Sequence, residues 1–99
     1  MFQWLSMAKP TRLEMLIEST PEEDEVIDQH LAYVEDLTRQ GVIIMVGRTL
    51  NTDATGFGLT IFEAEDEISA REIMESDPAV KHGLMAATLY PYRVALSRK

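Results

Sequence analysis

Cysteine is absent from the 99 residues, which excludes disulfides, thiol nucleophiles and cysteine-bound zinc. Five glycines and four prolines are too few for a collagen-like or low-complexity chain. Positive charge is scarce. Nine Lys and Arg stand against seventeen Asp and Glu, giving a formal charge of −8. Such a surface repels nucleic-acid phosphates and anionic headgroups, so neither nucleic acid nor a membrane is an expected partner. No segment approaches the ~20 apolar residues of a membrane span. Phe2, Trp4 and Leu5 precede Lys9 instead of following a basic stretch, unlike a secretory signal. The expected location is therefore cytoplasmic. The length fits one domain, and 45% hydrophobic residues can build a modest core that would gain from a partner surface.

Thr11–Thr20 alternates, with Leu13, Met15 and Ile17 on one side, and is expected to be the first strand. Residues 1–10 are then an N-terminal extension, in which Trp4 either caps a core edge or, the favoured reading, lies in solvent. Residues 11–96 form the single domain and 97–99 a basic tail. Thr20-Pro21 with Glu23 three residues on predicts a capping box and a helix to about Gln40, closed by Gly41. Gly41–Gly47 is a β-branched run between glycines, expected as a strand buried on both faces. Asn51–Thr55 is a turn, and Phe57–Phe62 returns as a hairpin partner. Asp66 caps a second helix that stops at Pro78. Ala79–Gly83 is a connecting turn, and Leu84–Leu96 holds a last strand with Pro91 at an edge position.

The resulting order, β-α-β-β-α-β, is that of the ferredoxin-like α+β sandwich. Both helices cover one sheet face. The other face stays bare and apolar, which predicts a symmetric homodimer with sheets face to face.

On a helical wheel at about 100° per residue, Val26, Ile27, Leu31, Val34 and Leu37 fill one arc. His30 falls near its middle and Tyr33 at its border. On the second helix, Ala70, Ile73 and Met74 form the inner stripe, and Asp77 continues it. Each has a plain alternative: a core histidine bonded to a carbonyl, and a turn aspartate bonding nearby amides. Together they suggest a different role. Two inward ionisable groups on two helices over one sheet face can share a cavity, and a carboxylate beside an imidazole fixes its tautomer, as a general base requires. Arg48, after Gly47 at a strand end, could meet an anionic substrate. Tyr33 and Tyr90 could line a pocket. His82 sits in a Lys-His-Gly turn expected in solvent, and Ser19 and Thr20 are better explained by capping. Nucleophile elbow, phosphate loop and metal-ligand spacing are all missing, so no cofactor or metal is expected.

His30-Leu31-Ala32-Tyr33-Val34, Leu37 and Gly41-Val42 resemble the first half of the YCII-related family. Gly58-Leu59-Thr60-Ile61-Phe62-Glu63-Ala64 resembles its third strand. Ala70-Arg71-Glu72-Ile73, Asp77-Pro78, Gly83-Leu84 and Tyr90-Pro91-Tyr92-Arg93 resemble its second half. The resemblance runs from about Arg12 to Leu96. It implies a ferredoxin-like fold that pairs into a dimeric α/β barrel, and it puts the family's signature His and Asp on His30 and Asp77. The family commonly has Gly-Pro after the second strand, where this chain has Gly47-Arg48, so the loop bordering the pocket differs. Structurally similar dimeric barrels include muconolactone isomerases and small cofactor-free monooxygenases. The expected function is a small cofactor-free enzyme. It would use His30 as general acid or base and Asp77 to orient it, for isomerisation, elimination or hydrolysis of a small organic substrate such as a hydroxylated or lactone-type ring. Tyr33 and Arg48 would contact that substrate. The alternative is a noncatalytic dimeric module that binds a metabolite or a protein. An open cleft holding His30 and Asp77 within hydrogen-bond reach favours the enzyme.

Overall fold

The computed structural model describes residues 1–98. Strand β1 (Phe2–Pro10) is followed by a single 3₁₀ turn (Leu13–Leu16) and helix α1 (Pro21–Arg39). Next come β2 (Ile43–Arg48), β3 (Gly58–Ala64), α2 (Glu67–Glu75), the one-turn helix α3 (Pro78–Lys81) and β4 (Met85–Tyr92). The strands form one antiparallel sheet in the order β2-β3-β1-β4. This α+β arrangement is compatible with the ferredoxin-like sandwich. The sheet is open and does not close into a barrel.

Local chemistry sets the helices. Thr20 and Glu23 exchange the two hydrogen bonds of a capping box, with Pro21 in the first turn, so orphan amides at the start of α1 are satisfied. Gly41 adopts φ +82° just beyond the helix, a backbone that side chains disfavour. Asp66 caps α2 by accepting from the Ser69 amide at 2.8 Å.

The start of the chain departs from expectation. Residues 2–10 lie inside the sheet, between β3 and β4, and are no extension. Trp4 is only 7% exposed, and its indole N–H donates to the Ala64 carbonyl at 3.2 Å. This inner strand carries apolar residues on both faces, Trp4 and Ala8 towards the helices and Leu5 and Met7 towards the open face, which removes the polar alternation that marks a half-exposed strand. Thr11–Thr20 is no strand. Leu13 and Leu16, three residues apart, suit the 3₁₀ period, and Ile17 is left exposed.

Other boundaries shift less. On β2 only Ile43 is buried; Ile44, Met45 and Val46 are exposed at a sheet edge, with a bulge between Ile43 and Met45. Ala79–Gly83 is not all turn, since Pro78–Lys81 closes one helical turn capped by Asp77. β4 ends at Tyr92, and Pro91 sits on this edge strand, where its missing N–H breaks no ladder on the open side. Of the basic tail, Lys99 lies outside the described residues.

The core is Trp4, Val34, Ile43, Phe62, Ala64 and Ala70, with Tyr33, Leu37, Ile73 and Leu89 against it. Among the described residues no helix is long and apolar enough to cross a membrane.

Candidate active site

Side-chain size falls along two paired strands and opens a cavity. On the helix-facing side of β1 the order is Trp4, Ser6, Ala8. On β3, in register, it is Phe62, Thr60, Gly58. The large pair fills the space beneath the helices, and the small pairs leave it empty. The result is a cavity of about 650 Å³ between the sheet and α1. Met15, Leu16 and Ser19 from the segment before α1 form part of its wall.

That segment is tied down at both ends. The Thr11 hydroxyl donates to the Gly83 carbonyl at 2.6 Å. The Arg12 Nε donates to Glu23 Oε2 at 2.8 Å, and its Nη2 reaches the second carboxylate oxygen at 2.5 Å and the Glu18 carbonyl at 3.3 Å. This fork geometry matches a carboxylate in bidentate fashion. The guanidinium and the Thr20 amide hold the Glu23 carboxyl down at about 2. The Ser19 hydroxyl donates to Asp24 at the mouth of the cavity.

His30 and Asp77 meet in the cavity wall. Nδ1 of His30 lies 2.8 Å from both Asp77 carboxylate oxygens. The side chains are 24% and 15% exposed, so the pair is sheltered and still reachable. An ionised carboxylate only accepts, so Nδ1 carries the proton and donates it. Nε2 of the neutral ring is then a free acceptor. Asp77 Oδ1 also accepts from the Ala79 amide at 2.9 Å as the cap of α3. Asp77 is thus both a turn aspartate and the partner of His30, and the cap fixes the carboxylate that orients the ring.

Tyr33, one turn along α1 from His30, lines the same cavity. Its hydroxyl donates to the Ile73 carbonyl at 2.7 Å. Burial, and then the Asp77 charge, push its phenol upward, so at neutral pH it remains protonated and is no base. Its ring is available as cavity wall. Arg48, at the end of β2, also lines the cavity. His82 is exposed and outside it. Tyr90 points to the open sheet face, in register with Leu5.

Ser6 and Thr60 also line the cavity floor and escaped the sequence reading. Ser6 lay in the stretch taken for an extension. The signal that could have found it was the parity of Trp4, Ser6 and Ala8 against Leu5 and Met7. Among the described residues no group of three or more His, Asp and Glu is placed to hold a metal ion. A second depression, of about 810 Å³, lies at the far end of the sheet between Phe2, Glu65 and Tyr92. It is larger but shallow, and it holds no acid–base pair.

The YCII-related domain model matches residues 2–91. A comparison with curated protein sequences finds no match. Among solved structures, 5-chloro-2-hydroxyhydroquinone dehydrochlorinase from Burkholderia phenoliruptrix AC1100, in complex with 2,5-dihydroxybenzoquinone, superposes with a TM-score of 0.65 at 26% identity. The match covers 91% of this chain and 93% of that one.

Proposed function

The chain belongs to the YCII-related family, and on that premise we propose that it is a small cytoplasmic enzyme performing general acid–base chemistry on a small organic substrate, with His30 and Asp77 as the catalytic pair. The observation that carries this reading is the 2.8 Å contact of His30 Nδ1 with Asp77 in the wall of an accessible cavity. Nε2 takes a proton from a substrate carbon or hydroxyl or, for hydrolysis, from the attacking water. Asp77 holds the ring and offsets the charge that develops on it. The same proton can return to another substrate atom or to a leaving group. Isomerisation, elimination and hydrolysis all fit, and no cofactor or metal is needed for these steps. Elimination is favoured among them, because the structural relative is a dehydrochlorinase. Tyr33 supplies ring surface to the substrate, and Arg48 supplies charge.

Chloride release from 5-chloro-2-hydroxyhydroquinone, followed alongside spectral changes of related hydroxylated rings, is the direct assay. His30→Asn should lower turnover by about 10²–10⁴-fold while the variant stays folded. A variant that keeps the wild-type rate would remove His30 from the chemistry.

The reading includes a homodimer. Leu5, Met7, Leu59, Ile61 and Met45 share the sheet face that no helix covers, and Met45 is half exposed. A second copy laid on this face would complete a dimeric α/β barrel. Sedimentation at micromolar concentration should give a dimer, and Met45→Asp should give a monomer, because an unpaired carboxylate is costly to bury.

A further inference from the structure

Arg48, Thr60 and Ser6 line the cavity from three neighbouring strands, β2, β3 and β1. Thr60 lies opposite Ser6 on one side and opposite Val46 on the other. Arg48 lies opposite Gly58, diagonal to Thr60 and within reach of it for a long side chain. Gly58 puts no side chain beneath the guanidinium.

Among the described residues Arg48 is the one Lys or Arg that lines the cavity. Two carboxylates line it as well, and both are engaged: Asp77 with His30 and the Ala79 amide, Asp24 with the Ser19 hydroxyl. Arg12, Arg39 and Arg71 each pair with a glutamate. Arg48 makes no ion pair among the described residues. Ser6 and Thr60 have no side-chain hydrogen bond to a protein group there, and no buried polar side-chain atom is left unpaired, so the largely buried Ser6 keeps its hydroxyl open to the cavity. Arg48 is exposed at the end of β2, Thr60 is half-buried and Ser6 is buried, and a buried hydroxyl without a protein partner is satisfied by water or by a ligand. Three donors therefore line the sheet side of a mostly apolar space. A guanidinium flanked by hydroxyls matches an anionic oxygen.

We infer that the cavity selects a small ring compound carrying an acidic oxygen (a carboxylate, phenolate or enolate) that pairs with Arg48 and accepts from Ser6 and Thr60. This deepens the enzymatic reading of the same cavity, but the anion contact does not depend on His30 doing chemistry.

The test is binding, read by NMR titration at neutral pH into the millimolar range. Benzoate is compared with benzamide, and 2,5-dihydroxybenzoquinone with uncharged hydroquinone. In the wild type the anion of each pair should bind roughly three- to tenfold more tightly, the gain expected of a partly exposed charge-assisted contact. Arg48→Gln should bring each anion down to its neutral counterpart and leave the neutral ligands unchanged. His30→Gln should keep the preference for the anion. The inference is overturned if the anions bind no better than the neutral rings, if neither binds, if Arg48→Gln keeps the preference, or if His30→Gln abolishes it and so moves the anion to the imidazole. A failure of the enzymatic reading looks different: full turnover in His30→Asn with the anion preference intact.

Discussion

The space between sheet and helices has two halves built on the same strands. At one end Trp4 and Phe62 rise against Val34 and Ala70 and leave almost no exposed surface. At the other, Ser6, Ala8, Thr60 and Gly58 occupy equivalent positions and leave a cavity beneath His30 and Asp77. One half is filled; the other carries the ionisable and hydroxyl groups. A fold of 99 residues has few layers to spend, so stability and chemistry are divided along the strand and not between domains. The sealed half holds the floor in place, and the open half has room for a ligand because its side chains stop short.

Emptying the sealed half should have the largest effect. Phe62→Ala leaves a void in the core and should cost about 3–5 kcal/mol, enough to unfold much of the protein, as chemical denaturation would show. Filling the open half should do the reverse. Ser6→Leu places apolar atoms in vacant space, so its cost should fall below the ~1–3 kcal/mol of overpacking a filled core. Ligand binding should nevertheless be lost. Strong destabilisation with retained binding would mean that the cavity is not where the ligand sits.

A smaller effect should come from the segment walling the cavity. Glu23 titrates at about 2 in the folded protein, below its value in the unfolded chain. Its contribution is therefore present above about pH 4.5 and disappears as pH falls towards 2. Glu23→Gln should lower the melting temperature at neutral pH, and the gap to wild type should close on acidification. A constant gap across that window would mean that the Arg12 contact does not set the stability of the segment.

Much of this division was legible in the sequence. Thr20, Pro21 and Glu23 announce their cap because the interactions lie within three residues of each other. His30 was visible because helical periodicity puts it on the inward face of α1; Asp77 was reached by continuing the α2 stripe, whereas α2 ends at Glu75 and Asp77 meets His30, 47 residues away, as the cap of α3. The first ten residues were not legible. Phe2–Pro10 is held in place by β3 and β4, more than 45 residues away in the chain, and a strand with apolar residues on both faces carries no alternation to betray it. Leu13, Met15 and Ile17 alternate by accident of a 3₁₀ turn followed by an exposed link. With β1 misplaced, Ser6 could not be set opposite Thr60. The taper from Trp4 to Ala8, which makes the cavity, is visible only once the register is known.

The claim on which the account turns is that Asp77 holds the His30 ring with its proton on Nδ1 and its Nε2 free to accept. Nitrogen-15 NMR of the His30 ring, at a pH where the ring is neutral, tests it without a substrate. The account predicts a protonated Nδ1 and a bare Nε2 in the wild type, and in Asp77→Ala a shift of the proton towards Nε2. A wild-type ring protonated at Nε2, or a tautomer unchanged in Asp77→Ala, would contradict it.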